Sequence, residues 1–101
     1  MKAYLIDAEN QSIENINVES MSDIIKLIGY ETIESDDIGD AGDRLFFDEE
    51  CFLRGSAGRF QIDTLIPVSG KGIVICANKD GTTLSDVQIS LDDLRSRIKY
   101  L

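Results

Sequence analysis

The chain has 101 residues, 43% of them hydrophobic, which is near the commonest size of one domain and enough for a core of its own. Nineteen acidic against ten basic side chains give a formal charge of -9, a field that repels phosphate backbones and anionic lipid, so direct nucleic-acid and membrane binding are not expected. With no histidine, Ser-His-Asp and Cys-His constellations are ruled out, and the expectation is a protein that is not an enzyme.

Ala3 to Ile6 reads as a first strand, and the polar turn Asp7 to Gln11 leads into a second through Ile16 and Val18, an opening β-hairpin. Met1 to Asp7 turns acidic at once and carries no cleavage site, so it does not read as a signal peptide. The longest apolar run, Gly72 to Ala77, is far short of the roughly 18 to 20 residues of a bilayer span, and the expected location is cytoplasmic.

Ser20 with Asp23 makes a capping signature, and Met21, Ile24, Ile25 and Ile28 recur at helical spacing, which predicts a helix ending at Gly29. Tyr30 to Ile33 resumes extended character. From Ile33 to Arg44 the chain is mostly acids and glycines, with Asp40-Ala41-Gly42-Asp43 as the turn of a second hairpin before Leu45, Phe46 and Phe47. Asp48 to Arg59 reads as an irregular excursion with an apolar anchor, and Phe60 and Ile62 as a short strand.

After Pro67, the run Ile73 to Ala77 predicts a central strand covered on both faces, with Cys76 buried in it. Asn78-Lys79-Asp80-Gly81 is a turn, and Val87 with Ile89 a further short extended piece. Ser90 and Asp93 cap a closing helix whose apolar face is Leu91, Leu94 and Ile98, with Arg95, Arg97 and Lys99 toward its negative end. The fold class that results is α+β: one domain over residues 1–101, an antiparallel or mixed sheet of about five to seven short strands, and two helices.

No motif carries chemistry. Cys51 and Cys76 lack zinc or redox spacing and read as free thiols. A calcium loop starting at Asp37 places Gly42 and Asp48 correctly but puts Gly39 and Ala41 where side-chain oxygens are needed. Ser69-Gly70-Lys71-Gly72 lacks the upstream glycine and the following helix of a phosphate loop. Neither cofactor nor metal is expected. Phe46, Phe47, Phe52 and Phe60 alternate with aliphatics as core residues do, but strand alternation sends Phe46 and Phe47 to opposite faces, which makes that pair a candidate partner patch.

Met1-Lys2-Ala3-Tyr4-Leu5-Ile6-Asp7, Gly42-Asp43-Arg44-Leu45-Phe46-Phe47-Asp48-Glu49-Glu50 and Gly70-Lys71-Gly72-Ile73-Val74 resemble a family of small proteins, common in bacteriophages and prophages, that carries no assigned activity. The resemblance spans most of the chain and implies genomic context rather than mechanism, with no functional residues to carry over. In that context small acidic proteins often occupy host protein surfaces. Glu34, Asp36, Asp37, Asp40, Asp43, Asp48, Glu49 and Glu50 would then form a negative face, beside Phe46 and Phe47, for an arginine- and lysine-rich groove. The first expectation is a non-enzymatic accessory or protein-interaction domain with a protein partner, homodimeric through a sheet edge or the terminal helix. The alternative is an acidic nucleic-acid-mimicking inhibitor of a host DNA- or RNA-binding protein. A carboxylate-based enzyme requires the acids around Asp37 and Asp48 to meet in space.

Overall fold

The computed structural model describes residues 1–101. In chain order its elements are β1 (Lys2–Asp7), β2 (Ser12–Asn17), α1 (Met21–Ile28), β3 (Ile33–Asp37), β4 (Asp43–Asp48), a 3-10 turn at Cys51–Leu53, β5 (Arg59–Ile62), β6 (Val68–Ser69), β7 (Lys71–Ala77), β8 (Leu84–Ser85), α2 (Leu91–Arg97) and β9 (Ile98–Tyr100). The class is α+β, and every strand pairing is antiparallel. The larger sheet runs β2-β1-β7-β4-β3, with β8 against the end of β7, and the smaller one runs β6-β5-β9.

The apolar run of β7 is central for the reason its composition suggests, since both of its faces are covered. Ile73 and Ile75 pack with Ala3, Val18 and Phe46 under Ile24 and Ile28 of α1. Val74 faces the other way, with Tyr4, Ile6 and Leu45, against Phe60, Ile62, Val68 and Leu94 of the smaller sheet and α2. The molecule is thus layered: α1, the six-stranded sheet, then the three-stranded sheet with α2. At Gly72 the smaller sheet packs directly on the backbone of the larger one, because a Cβ there would lie 2.7 Å from Phe60 Cζ, and 2.9 Å from Leu45 Cδ1 of the neighbouring strand.

Local signals act as expected at the helix ends. Ser90 Oγ accepts the Asp93 N–H at 3.2 Å, and Gly29 closes α1 with φ 95°. At the start of α1 the reciprocal cap does not form: the Ser20 side chain makes no cap bond, and the Asp23 carboxylate takes the N–H of Glu19, one residue before the cap, at 2.8 Å.

Four expectations are corrected. Val87 and Ile89 do not form a strand; the paired piece is β8, two residues earlier. The backbone of Val87 to Ile89 is held instead by the Lys2 carbonyl, the Tyr4 hydroxyl and the Asp43 carboxylate. The closing helix stops at Arg97, and Ile98 and Lys99 belong to β9, where the helical spacing of Leu91, Leu94 and Ile98 masked the change. Cys76 is half-buried near the end of β7, whereas Cys51 is the buried thiol. Phe52 is 49% exposed, because successive residues of the 3-10 turn point about 120° apart and Cys51 takes the inward position.

Candidate docking surface

Strand pairing sorts the acidic residues by face, since directly opposed residues of an antiparallel pair share one. Glu34 lies opposite Phe47 and Asp36 opposite Leu45, on the side toward the smaller sheet. Asp37 lies opposite Arg44 on the α1 side and is ion-paired to it. Asp40 is exposed at the hairpin tip. Glu50 is exposed and pairs with Arg54 at 3.3 Å.

Asp43 and Asp48 are each only 3% exposed, and both are occupied by their own chain. The Asp43 oxygens accept the Gln88 and Ile89 N–H groups, each at 2.8 Å. Asp48 accepts Arg54 Nε–H at 2.9 Å, the Glu50 N–H at 3.0 Å and the Thr32 hydroxyl. Burial pushes the Asp48 carboxyl up, but these hydrogen bonds and the Arg54 charge outweigh it and hold it below the usual carboxylate range. Phe46 is buried under α1. The sequence-level candidates therefore do not assemble into one solvent-facing negative face.

The Asp37–Asp48 pair does not form either. Asp37 is opposite Arg44 and Ile33 is opposite Asp48, so the two acids sit at opposite ends of the β3–β4 ladder, about 13 Å apart along the strands. No three Asp, Glu or Cys side chains are grouped so as to hold a metal ion.

What the fold does assemble is a groove of about 270 Å³ between Phe47, Phe52, Ile66 and Pro67, floored by Cys51 and rimmed by Glu34, Asp36 and Glu49. Ile66 is 67% exposed, and the Arg59 guanidinium lies 5.0 Å from the Phe52 ring centre. None of the three rim carboxylates has a cation partner; the ion pairs of the chain use Asp37, Asp48, Glu50, Asp63 and Asp92. Of the residues singled out from sequence, Glu34, Asp36, Phe47 and Glu49 meet here.

Phe52, Ile66 and Pro67 were missed as surface residues. They reach Phe47 only because the 3-10 turn packs beside β6. The signal available in sequence was an apolar Leu65-Ile66-Pro67 run immediately after the polar Asp63-Thr64.

A second cleft, lined by Asp7, Glu9, Tyr30, Asp48, Arg54 and Lys71 among others, is of mixed charge. Its arginine is committed to Asp48 and Glu50 and stacks 4.1 Å from the Tyr30 ring centre, which leaves Lys71 as its one unpaired cation, beside the carboxylates of Asp7 and Glu9. No helix is long and apolar enough to cross a membrane. Comparison with protein-family models, with curated proteins and with solved structures gives no match, so the role of the acid-rimmed groove is read from its own geometry.

Proposed function

We propose that this chain is a non-enzymatic protein-interaction domain whose acid-rimmed groove docks a segment of a partner protein, with one apolar side chain between Phe47, Phe52 and Ile66 and flanking Lys or Arg residues on Glu34, Asp36 and Glu49. The observation that carries the reading is the coincidence of exposed apolar surface with three carboxylates that no cation of the chain neutralises. Burial of one large apolar side chain contributes about 1.5–3 kcal/mol, while exposed ion pairs add about 0.2–1 kcal/mol each. Affinity then comes from the groove, and partner choice and association rate from the rim. The phage resemblance points to a host protein as that partner.

Phosphate mimicry draws less support. Of the eight acids proposed for it, Asp43 and Asp48 are buried and Asp37 and Glu50 are ion-paired, which leaves no regularly spaced row.

The test is selection from a displayed random-peptide library, followed by fluorescence anisotropy on the enriched peptides. Enrichment of one Leu, Ile or Phe flanked by Lys or Arg is expected, with binding that weakens as salt rises. Phe52→Asp and Ile66→Asp are each expected to weaken binding at least tenfold, which is about 1.4 kcal/mol. Both side chains are exposed, so unfolding free energy should move by no more than about 0.5 kcal/mol. Enrichment of acidic or uncharged peptides, or binding indifferent to both substitutions, would sink the reading.

A further inference from the structure

The two edges of the six-stranded sheet are finished differently. At β3 the Arg44 guanidinium folds over the edge, donating from Nε to Ser35 Oγ at 3.0 Å and from Nη2 to the Ser35 carbonyl at 3.1 Å. Ser35 Oγ in turn donates to the Lys79 carbonyl at 2.9 Å. Glu34, Asp36 and Asp37 add like charge along the same strand, so this edge is closed to another strand.

Nothing closes β2. Val18 N–H donates to the Met1 carbonyl at 2.9 Å and the Met1 nitrogen donates back to Val18 at 2.7 Å, which fixes the phase of the ladder. Counting from that pair, Ile16, Glu14 and Ser12 bond to β1, while Ile13, Asn15 and Asn17 aim their N–H and C=O groups out of the sheet. Those outward groups make no other hydrogen bond within the molecule.

We infer that β2 pairs with β2 of a second copy, antiparallel about a two-fold axis at Asn15, joining two sheets into one. A two-fold axis perpendicular to the sheet keeps every side chain on its own face, so only residues an even number apart can oppose each other. Centring on Glu14 places two carboxylates directly opposite, which is unfavourable. Centring on Asn15 opposes Asn15 to Asn15, Ile13 to Asn17 and Glu14 to Ile16. This register uses all the outward backbone groups and sets no acid against an acid. The β2 edge is at the far end of the strand order from β3 and the groove, so a dimer keeps both grooves open and binds a bivalent partner with added avidity.

The test reads mass and register separately. Light scattering on the wild-type chain is expected to give twice the 11.2 kDa chain mass at micromolar concentration. Asn15→Pro removes only an outward N–H and is expected to give monomer with an unchanged circular dichroism spectrum. Asn15→Lys, which faces its own charge across the axis, does the same without a backbone constraint. In a Cys76→Ser background, Asn15→Cys is expected to oxidise to a covalent dimer, because Cα atoms of a hydrogen-bonded antiparallel pair lie about 5.5 Å apart, inside the range of about 4.4–6.8 Å that a disulfide spans. Glu14→Cys, opposite Ile16, is expected to cross-link at least tenfold more slowly. A monomeric wild type, a dimer that survives Asn15→Lys, or equal cross-linking at both positions overturns the inference, whichever way the peptide selection falls.

Discussion

Asp48→Ala is expected to lower the unfolding free energy by about 2–4 kcal/mol near neutral pH and to flatten the acid limb of the stability curve. The carboxylate lies at the end of β4 beneath the start of the excursion, where it gathers Thr32, the Glu50 N–H and Arg54. Alanine leaves those donors without an acceptor at a position 3% exposed, whereas Arg54, on the rim, recovers part of its hydration. The carboxyl is held below its unfolded value, so the folded state binds its proton less readily than the unfolded state. Its stabilisation is therefore fully present above the unfolded pKa of about 3.9 and is lost as pH falls through the folded pKa. Denaturant unfolding from pH 7 down to pH 2 measures this directly. The wild type should lose stability steeply below about pH 4, and Asp48→Ala should lose less, with a residual slope from Asp63, which the hydrogen bond from Arg97 holds low in the same sense. Parallel curves for the two proteins would mean that Asp48 does not carry the acid sensitivity.

Asp48 also illustrates where the sequence stops being informative. A carboxylate in Phe47-Asp48-Glu49-Glu50 carries no mark that distinguishes the buried acid from its exposed neighbours; that distinction depends on Thr32 and Arg54, brought in by two other segments. Acids are mostly exposed unless paired, so all eight were assigned to solvent, and the pairing that buries Asp43 and Asp48 is tertiary.

What was legible is what local chemistry decides. The spacing Met21, Ile24, Ile25, Ile28 before Gly29 gives α1. The turn residues after Asp7 and before Leu45 give the two hairpins, and the unbroken run to Ala77 gives the central strand. Phe46 and Phe47 divide between faces as alternation requires, and the side of Phe47 is the one left partly open. The acid-rich β3 was legible only as the first arm of the second hairpin and not by its own composition, because Glu and Asp disfavour strands in general, although an edge strand tolerates them and is protected by them. The groove was legible only in part: Glu34, Asp36, Phe47 and Glu49 share the second hairpin, but the apolar wall opposite comes from residues that the smaller sheet places there.

The largest effect is expected at Gly72, the point where that smaller sheet meets the larger. Gly72 stands near the start of β7, opposite Ile6 on one side and Phe47 on the other, and its missing side chain is the space occupied by the Phe60 ring tip and a Leu45 methyl. Phe60 is 0% and Leu45 1% exposed, so neither retreats without displacing a packed neighbour. Alanine should cost about 1–3 kcal/mol by overpacking, partly offset by the 0.5–1 kcal/mol or so that removing a strand glycine returns. Valine should cost about 4 kcal/mol or more, a large share of the 5–15 kcal/mol or so that holds a domain folded, and should expose the core to dye binding at room temperature. Overpacking and simple strand propensity predict different partners for rescue. If the clash with Phe60 is the cause, Phe60→Leu, destabilising alone, should restore part of the stability of Gly72→Ala, with a coupling of about 1 kcal/mol or more in a double-mutant cycle. Additive losses would place the cost of the substitution in the backbone, and would mean that the two sheets are not held at the distance set by a glycine.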